Sequence, residues 1–197
     1  MTTDQMENLK DFRLAPYIQL ATTLIGKTRE GGGNMFRHQL DTMAILVDYN
    51  YIDSVLLKAS IVHDLLEDIP DFNRNHLLSI DYESHAVYEL IMEVSRLPEE
   101  TKAEFLTRIN NNGSENAKVL KVADRISNMI ALGFVNNMEF VARYITETEQ
   151  YVNPIAAEVN KFMLRELETL IKSRKKYLEV FKLLNVKPNK IDPSDYY

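Results

Sequence analysis

Cysteine is absent from all 197 residues. That excludes disulfides, thiolate metal sites, cysteine nucleophiles and thiol redox chemistry, and it suits a reducing cytoplasm. Long apolar runs are missing too: the best stretch, Met129 to Val135, falls far short of the ~20 residues that cross a bilayer. The opening MTTDQMENLK has neither a basic start nor an apolar core, so no secretory signal is expected. Positive charge is in deficit, with 23 Lys and Arg against 29 Asp and Glu and a net charge of −6. Long nucleic acid, which is bound by neutralising phosphates, is therefore a disfavoured partner. A small phosphorylated molecule is not, because one metal ion and a few local cations outweigh a diffuse charge screened within ~10 Å. A cytoplasmic protein without a membrane partner is expected.

What is present is the composition of one globular domain, 45% hydrophobic and 26% charged. A chain of this length buries roughly 70% of its unfolded surface, enough for a core without staples. Glycine and proline number only six each, strict polar/apolar alternation is nearly absent, and spacings of three and four recur from Ala15 to Leu184. The pattern predicts an all-α multi-helix bundle with helices near 15–28, 35–49, 53–67, 83–95, 99–109, 115–132, 138–151 and 154–184. Gly31–Gly33 break the first connection, Pro70 stops the third helix, Pro98 starts another, and Asn110–Gly113 reads as a loop. One domain over 1–185 and a surface tail over 186–197 are expected. Lys172, Arg174, Lys175 and Lys176 read as a solvated face late in the longest helix, where cations are favoured. Gly26-Lys27-Thr28 fails the phosphate-loop pattern, since position 21 is alanine and no strand precedes it.

The chemistry concentrates in Ala59-Ser60-Ile61-Val62-His63-Asp64-Leu65-Leu66-Glu67-Asp68-Ile69-Pro70. On one continuous helix His63 and Glu67 are four apart, Asp64 and Asp68 four apart, and Asp64 and Glu67 three apart, so four ionisable groups share one side. Three carboxylates beside one imidazole, backed by an apolar face, are costly unless a cation neutralises them or they form a solvated acidic face that ends the helix at Pro70. His38, in Met35-Phe36-Arg37-His38-Gln39-Leu40, has apolar neighbours that imply partial burial. Asp124 interrupts an apolar helix face and needs a partner, for which the adjacent Arg125 is the candidate. Together His38, His63, Asp64 and Asp124 form a ligand set suited to one divalent ion such as manganese, iron or zinc. His76 and His85 sit among polar neighbours and are expected at the surface.

The ordered pattern H…HD…D resembles the HD-domain metallophosphohydrolases, and its surroundings resemble the alarmone hydrolase domain of RelA/SpoT-type enzymes. HDLLEDIP is similar to that branch's HD-plus-ED motif, and KVADRISNM to its K-L-A-D-R-L-x-N-M segment. Arg29 stands nine residues before His38, as the branch's guanine-contacting Arg does, and Glu147-Thr148 through Tyr151, Pro154 and Ala156 resemble its E-T-x-x-Y-x-P-[IL]-A stretch with one more residue between Tyr and Pro. The resemblance implies a stand-alone small alarmone hydrolase. In it His38, His63, Asp64 and Asp124 hold one metal, usually manganese, with Glu67 and Asp68 as the catalytic acidic pair. Arg29 stacks on or forks toward the purine, and Asn128 bonds the ribose or base. The implied reaction hydrolyses the 3′-diphosphate of guanosine tetra- or pentaphosphate to GDP or GTP plus pyrophosphate, with water activated at the metal.

The chain departs from that pattern around the substrate. Glu30 stands where Lys is common, Ser127 where the triplet L-H-N has His, Ile130-Ala131 where R-T follows N-M, and Val94-Ser95-Arg96 where V-T-K occurs. These changes spare the metal set and bear on recognition of the guanosine 3′-diphosphate; Lys27, Arg37, Arg96 and Lys121 are the available compensating charges. Two other readings share part of the evidence: an HD phosphatase acting on another nucleotide or a phosphorylated dinucleotide cofactor, and a non-enzymatic domain that senses a nucleotide.

Overall fold

The structure is a computed structural model and describes residues 2–184; the 186–197 tail expected from the sequence lies outside them. Local capping sets most helix starts. Thr2 forms a capping box with Gln5 and opens α1 (Thr3–Asp11), a short helix whose sparse apolar positions gave no periodic signal. Pro16 lies in the first turn of α2 (Ala15–Ala21), which tightens into a 3₁₀ turn at Thr22–Leu24. Asn34 caps α3 (Met35–Asp48) and Asp53 caps α4 (Ser54–Val62), each accepting a hydrogen bond from a backbone N–H of the first turn. The short α5 (Leu65–Asp68) and α6 (Arg74–Leu78) follow, then α7 (Ser84–Val94). A second capping box, Thr101 with Glu104, starts α8 (Lys102–Asn112) three residues later than Pro98 suggests and carries it through Asn110.

Ser114 caps α9 (Glu115–Ala131). Eleven of its 17 residues are buried, which makes α9 the axis of the molecule; α3, α7, α11 and α12 pack around it. A 3₁₀ turn at Leu132–Phe134 leads to α10 (Met138–Glu147), which continues as a π-helical turn over Thr148–Val152 into α11 (Asn153–Val159). The long final helix expected over 154–184 is broken at Asn160. Its extended backbone (φ −160°, ψ 107°) ends α11, and its side chain caps α12 (Lys161–Leu183). Among the described residues there is no strand, only an isolated bridge between Thr28 and Asn34, and no helix is long and apolar enough to cross a membrane.

Arg174 departs from the solvated face expected of its neighbours. It reaches back along α12 to donate to the Met129 and Ile130 carbonyls at 3.0 and 2.8 Å, closing the otherwise open C-terminus of α9. Lys175 pairs with Glu149 at 2.6 Å.

A buried cation ties α4 to the α6–α7 connection. Lys58 is 2% exposed; its ammonium bonds Asp81 at 2.8 Å and also bonds Glu83. Tyr17 donates to Asp81 at 3.0 Å and Ser54 to Glu83 at 2.7 Å. Burial alone would raise both carboxyls, but the hydrogen bonds and charge of Lys58, together with the hydrogen bonds from Tyr17 to Asp81 and from Ser54 to Glu83, outweigh it and hold them below their usual range. Removing the cation strands two carboxylates, so Lys58→Ala is expected to cost about 3–5 kcal/mol in urea unfolding; a loss under about 1 kcal/mol would contradict this account. The sign with pH follows. These depressed carboxyls contribute fully above the unfolded carboxylate range near pH ~4, and the contribution is lost as pH falls through their lower folded values.

Candidate metal centre

α3 and α9 cross at the middle of the molecule, and the end of α4 meets them there. That junction collects the nitrogen and oxygen donors. His38 comes from α3, His63 from the end of α4, and Asp124 from α9; one donor atom from each lies within 4.8 Å of the others. His38 Nε2 is 3.1 Å and His63 Nε2 3.9 Å from Asp124 Oδ1. Asp64 Oδ2 lies beside this group, 3.6 Å from His38 Nε2 and 3.3 Å from His63 Nε2. The four residues named from the sequence therefore converge, with both histidines and Asp124 buried and Asp64 half-buried.

The outer atoms of these side chains are held as well. His63 Nδ1 bonds the Ser60 carbonyl and His38 Nδ1 the Ser127 hydroxyl, both at 2.8 Å. Gln39, fully buried, donates to Asp64 Oδ2 at 2.8 Å. Asn128 donates to Asp124 Oδ1 at 2.5 Å and Lys121 pairs with Asp124 Oδ2 at 2.7 Å. Arg125 is not the partner of Asp124. It points away, donating to Glu147 at 2.6 Å and to Thr148 at 3.2 Å and stacking on Tyr144. Consecutive helix residues do not share a face, whereas residues three apart do.

The electrostatics demand positive charge. Burial would push the Asp124 carboxyl up, but Lys121 and the two histidines outweigh it and hold it well below the usual range. Burial would lower His63, but the Asp64 charge, aided by Asp124, reverses this and raises its pKa to about 9. Even so, His63 Nε2 is a buried nitrogen that makes no hydrogen bond of acceptable geometry, an expensive state for a polar atom. An unpartnered imidazole nitrogen facing a second imidazole and two carboxylates is the donor set that a divalent transition ion fits.

The continuous helix expected over 53–67 is broken. α4 ends at Val62, and Asp64 (φ −94°, ψ −1°) leaves the regular ladder before α5 begins. The break separates the ionisable groups that one helix face would have gathered. Asp64 turns toward the histidines, while Glu67 is exposed and accepts from the Arg96 N–H at 2.8 Å, and Asp68 pairs with Lys27 at 3.1 Å. Glu67 and Asp68 thus find their partners outside the donor cluster.

Arg29 reaches the site through the loop after α2. Gly32 and Gly33 take positive φ, +81° and +71°, which lets Arg29 N–H bond the Gly33 carbonyl. At Gly31 a Cβ would lie 2.8 Å from that of Ala131, so the loop presses directly on the end of α9. Arg29 then donates to Asn128 Oδ1 at 2.6 Å. Arg29, Asn128 and Asp124 form one hydrogen-bonded chain. Of the compensating cations, Lys121 and Lys27 bind site carboxylates, while Arg37 pairs weakly with Asp41 at the surface. His76 and His85 are exposed, as expected. Gln39 was not singled out from the sequence, and Lys121 was named as a compensating charge toward the substrate rather than as the partner of Asp124; the signal of each was a polar side chain placed on an otherwise apolar helix face.

The fold that carries these residues has a counterpart in a solved structure. The chain shares its fold with a SpoT ortholog. The superposition on that metazoan protein, described as hydrolysing ppGpp and acting in starvation responses, has a TM-score of 0.68 at 20% identity and covers 88% of this chain and 97% of that one. In sequence, the chain is similar to a probable guanosine-3′,5′-bis(diphosphate) 3′-pyrophosphohydrolase of Mycoplasma genitalium, with 25% identity over 154 residues. The match takes in 70% of this chain and 20% of that protein, so the chain spans about a fifth of the relative's length. No protein-family model matches the chain. The all-α architecture expected from periodicity is the one these comparisons support.

Proposed function

We propose that the chain is a metal-dependent hydrolase that removes the 3′-diphosphate of guanosine tetra- or pentaphosphate as pyrophosphate, leaving GDP or GTP. The observation that carries the reading is the convergence of His38, His63, Asp64 and Asp124 around an unpartnered imidazole nitrogen, in a fold shared with a ppGpp-hydrolysing protein. These four residues hold one divalent ion, manganese in our reading. When bound, such an ion supplies a Lewis acid for phosphorus chemistry and makes water acidic enough to react near neutral pH.

The chain's own residues do the rest. Glu67 and Asp68, three and four residues after Asp64 in the chain, accept the proton that attacking water gives up. The new bond joins water oxygen to the phosphorus attached at the ribose 3′ oxygen; the bond from that phosphorus to the 3′ oxygen breaks, and the 3′ oxygen takes up a proton. Arg29 presents its planar guanidinium to the purine, and Asn128, bonded to both Arg29 and Asp124, links the nucleoside end of the site to the metal end. Lys27, 44% exposed and paired with Asp68, offers the cation that Glu30 does not. The setting is cytoplasmic in our reading, which the absence of cysteine suits.

The test incubates manganese-loaded protein with guanosine tetraphosphate and, separately, with nucleoside monophosphates and a phosphorylated dinucleotide cofactor, and identifies products by mass. GDP plus pyrophosphate is the expected result. Release of inorganic phosphate from the other substrates alone would overturn the alarmone assignment in favour of a general nucleotide phosphatase.

A further inference from the structure

An imidazole offers two nitrogens, and a metal centre needs the lone pair of a particular one. Both histidines aim Nε2 at the carboxylates, so each must carry its remaining proton on Nδ1 and find an acceptor for it. His63 has a fixed acceptor, the Ser60 carbonyl one turn earlier. His38 has no backbone carbonyl in that role. The group 2.8 Å from its Nδ1 is the Ser127 hydroxyl, contributed by α9 across the helix interface and only 4% exposed. Asp64 poses the same problem for a carboxylate, since Oδ2 is the oxygen nearest both imidazoles and a carboxylate can swing. Here the fully buried Gln39 side chain donates to that oxygen, while its own Oε1 is left buried without a partner.

We propose that Ser127 and Gln39 are the positioning residues of the metal centre. Ser127 accepts the Nδ1 hydrogen of His38 and so keeps the Nε2 lone pair directed at the ion; Gln39 holds Asp64 in register with it. Ser127 stands where the pattern this chain resembles has His, so this chain completes its centre with a hydroxyl from α9. An unpartnered buried Oε1 on Gln39 is a cost that packing alone does not explain; fixing a ligand does. The inference rests on the metal reading and deepens it.

The test measures manganese affinity in the full chain by the electron paramagnetic resonance signal of free manganese, with no nucleotide present. Ser127→Ala and Gln39→Leu are each expected to weaken binding about 10–100-fold. Thr42→Ala serves as the control: its buried hydroxyl also sits on α3, but bonds the His38 carbonyl rather than the ring, and affinity is expected to stay within about threefold of the parent. In the zinc-loaded parent, nitrogen NMR of His38 is expected to show a protonated Nδ1, and this signature is expected to be lost in Ser127→Ala. Parent-like affinity in both Ser127→Ala and Gln39→Leu overturns the proposal while leaving the metal centre standing. A parent chain that binds no manganese overturns the metal centre as well.

Discussion

His63→Ala is expected to leave a folded protein that retains no divalent ion and releases no pyrophosphate. The two losses have one cause. Nε2 of His63 is the buried nitrogen without a hydrogen-bond partner, and it faces Asp64 at 3.3 Å and Asp124 at 3.9 Å. Removing an outer partner of a metal ligand costs about 10–100-fold in affinity, so removing the ligand itself exceeds that. Metal analysis after gel filtration, circular dichroism and turnover are the three readouts; helical protein that keeps a full equivalent of metal would sink the assignment. The same nitrogen sets a pH dependence. In the metal-free protein the Asp64 and Asp124 charges overcome burial and hold the His63 pKa at about 9, so near neutrality Nε2 carries a proton that an incoming ion displaces. Metal affinity should therefore fall as pH falls, by about tenfold per unit below that value, and uptake should release a proton into solution.

The acidic pair gives the second large effect, with the opposite signature. Glu67→Gln keeps an oxygen to accept from the Arg96 N–H, the bond that seats Glu67 against the loop after α7, but removes its ability to take a proton. Metal content should match the parent. The rate constant kcat should drop by about 10²–10⁴, the usual contribution of a positioned acid or base, with KM little changed because the lost interaction belongs to the transition state. Turnover at the parent rate would remove Glu67 from the chemistry and leave Asp68, tethered to Lys27, as the residue to examine next by Asp68→Asn.

The residues that carry this site were legible before any coordinates because their types are rare in their settings. Two histidines and two carboxylates on apolar helix faces each need a partner, a shared cation being one that serves all four, and the 3.6-residue period of those faces determined the helices that carry them. Helix starts were partly legible from their capping residues, as at Asn34, Asp53 and Ser114. The partner of Asp124 follows from the same period: Lys121, three residues earlier, shares its face and the adjacent Arg125 does not.

Only the tertiary structure decided the rest. Whether the helix after Ser54 runs straight through His63 and Asp64 is not set by propensity, since Leu, Glu and Asp continue a helix there as readily as they end it. The chain turns at Asp64 because the neighbouring elements supply partners on different sides: the histidines and Gln39 for Asp64, the Arg96 N–H for Glu67, and Lys27 for Asp68. Likewise nothing local links Ser127 to His38, which are 89 residues apart. Their meeting depends on α3 packing across α9, and a hydrogen bond between separate helices is specified by how those helices cross. The sequence by itself determined which atoms can bind a cation; the packing of three helices decided where those atoms point, because orientation is a property of the interface and not of the residue.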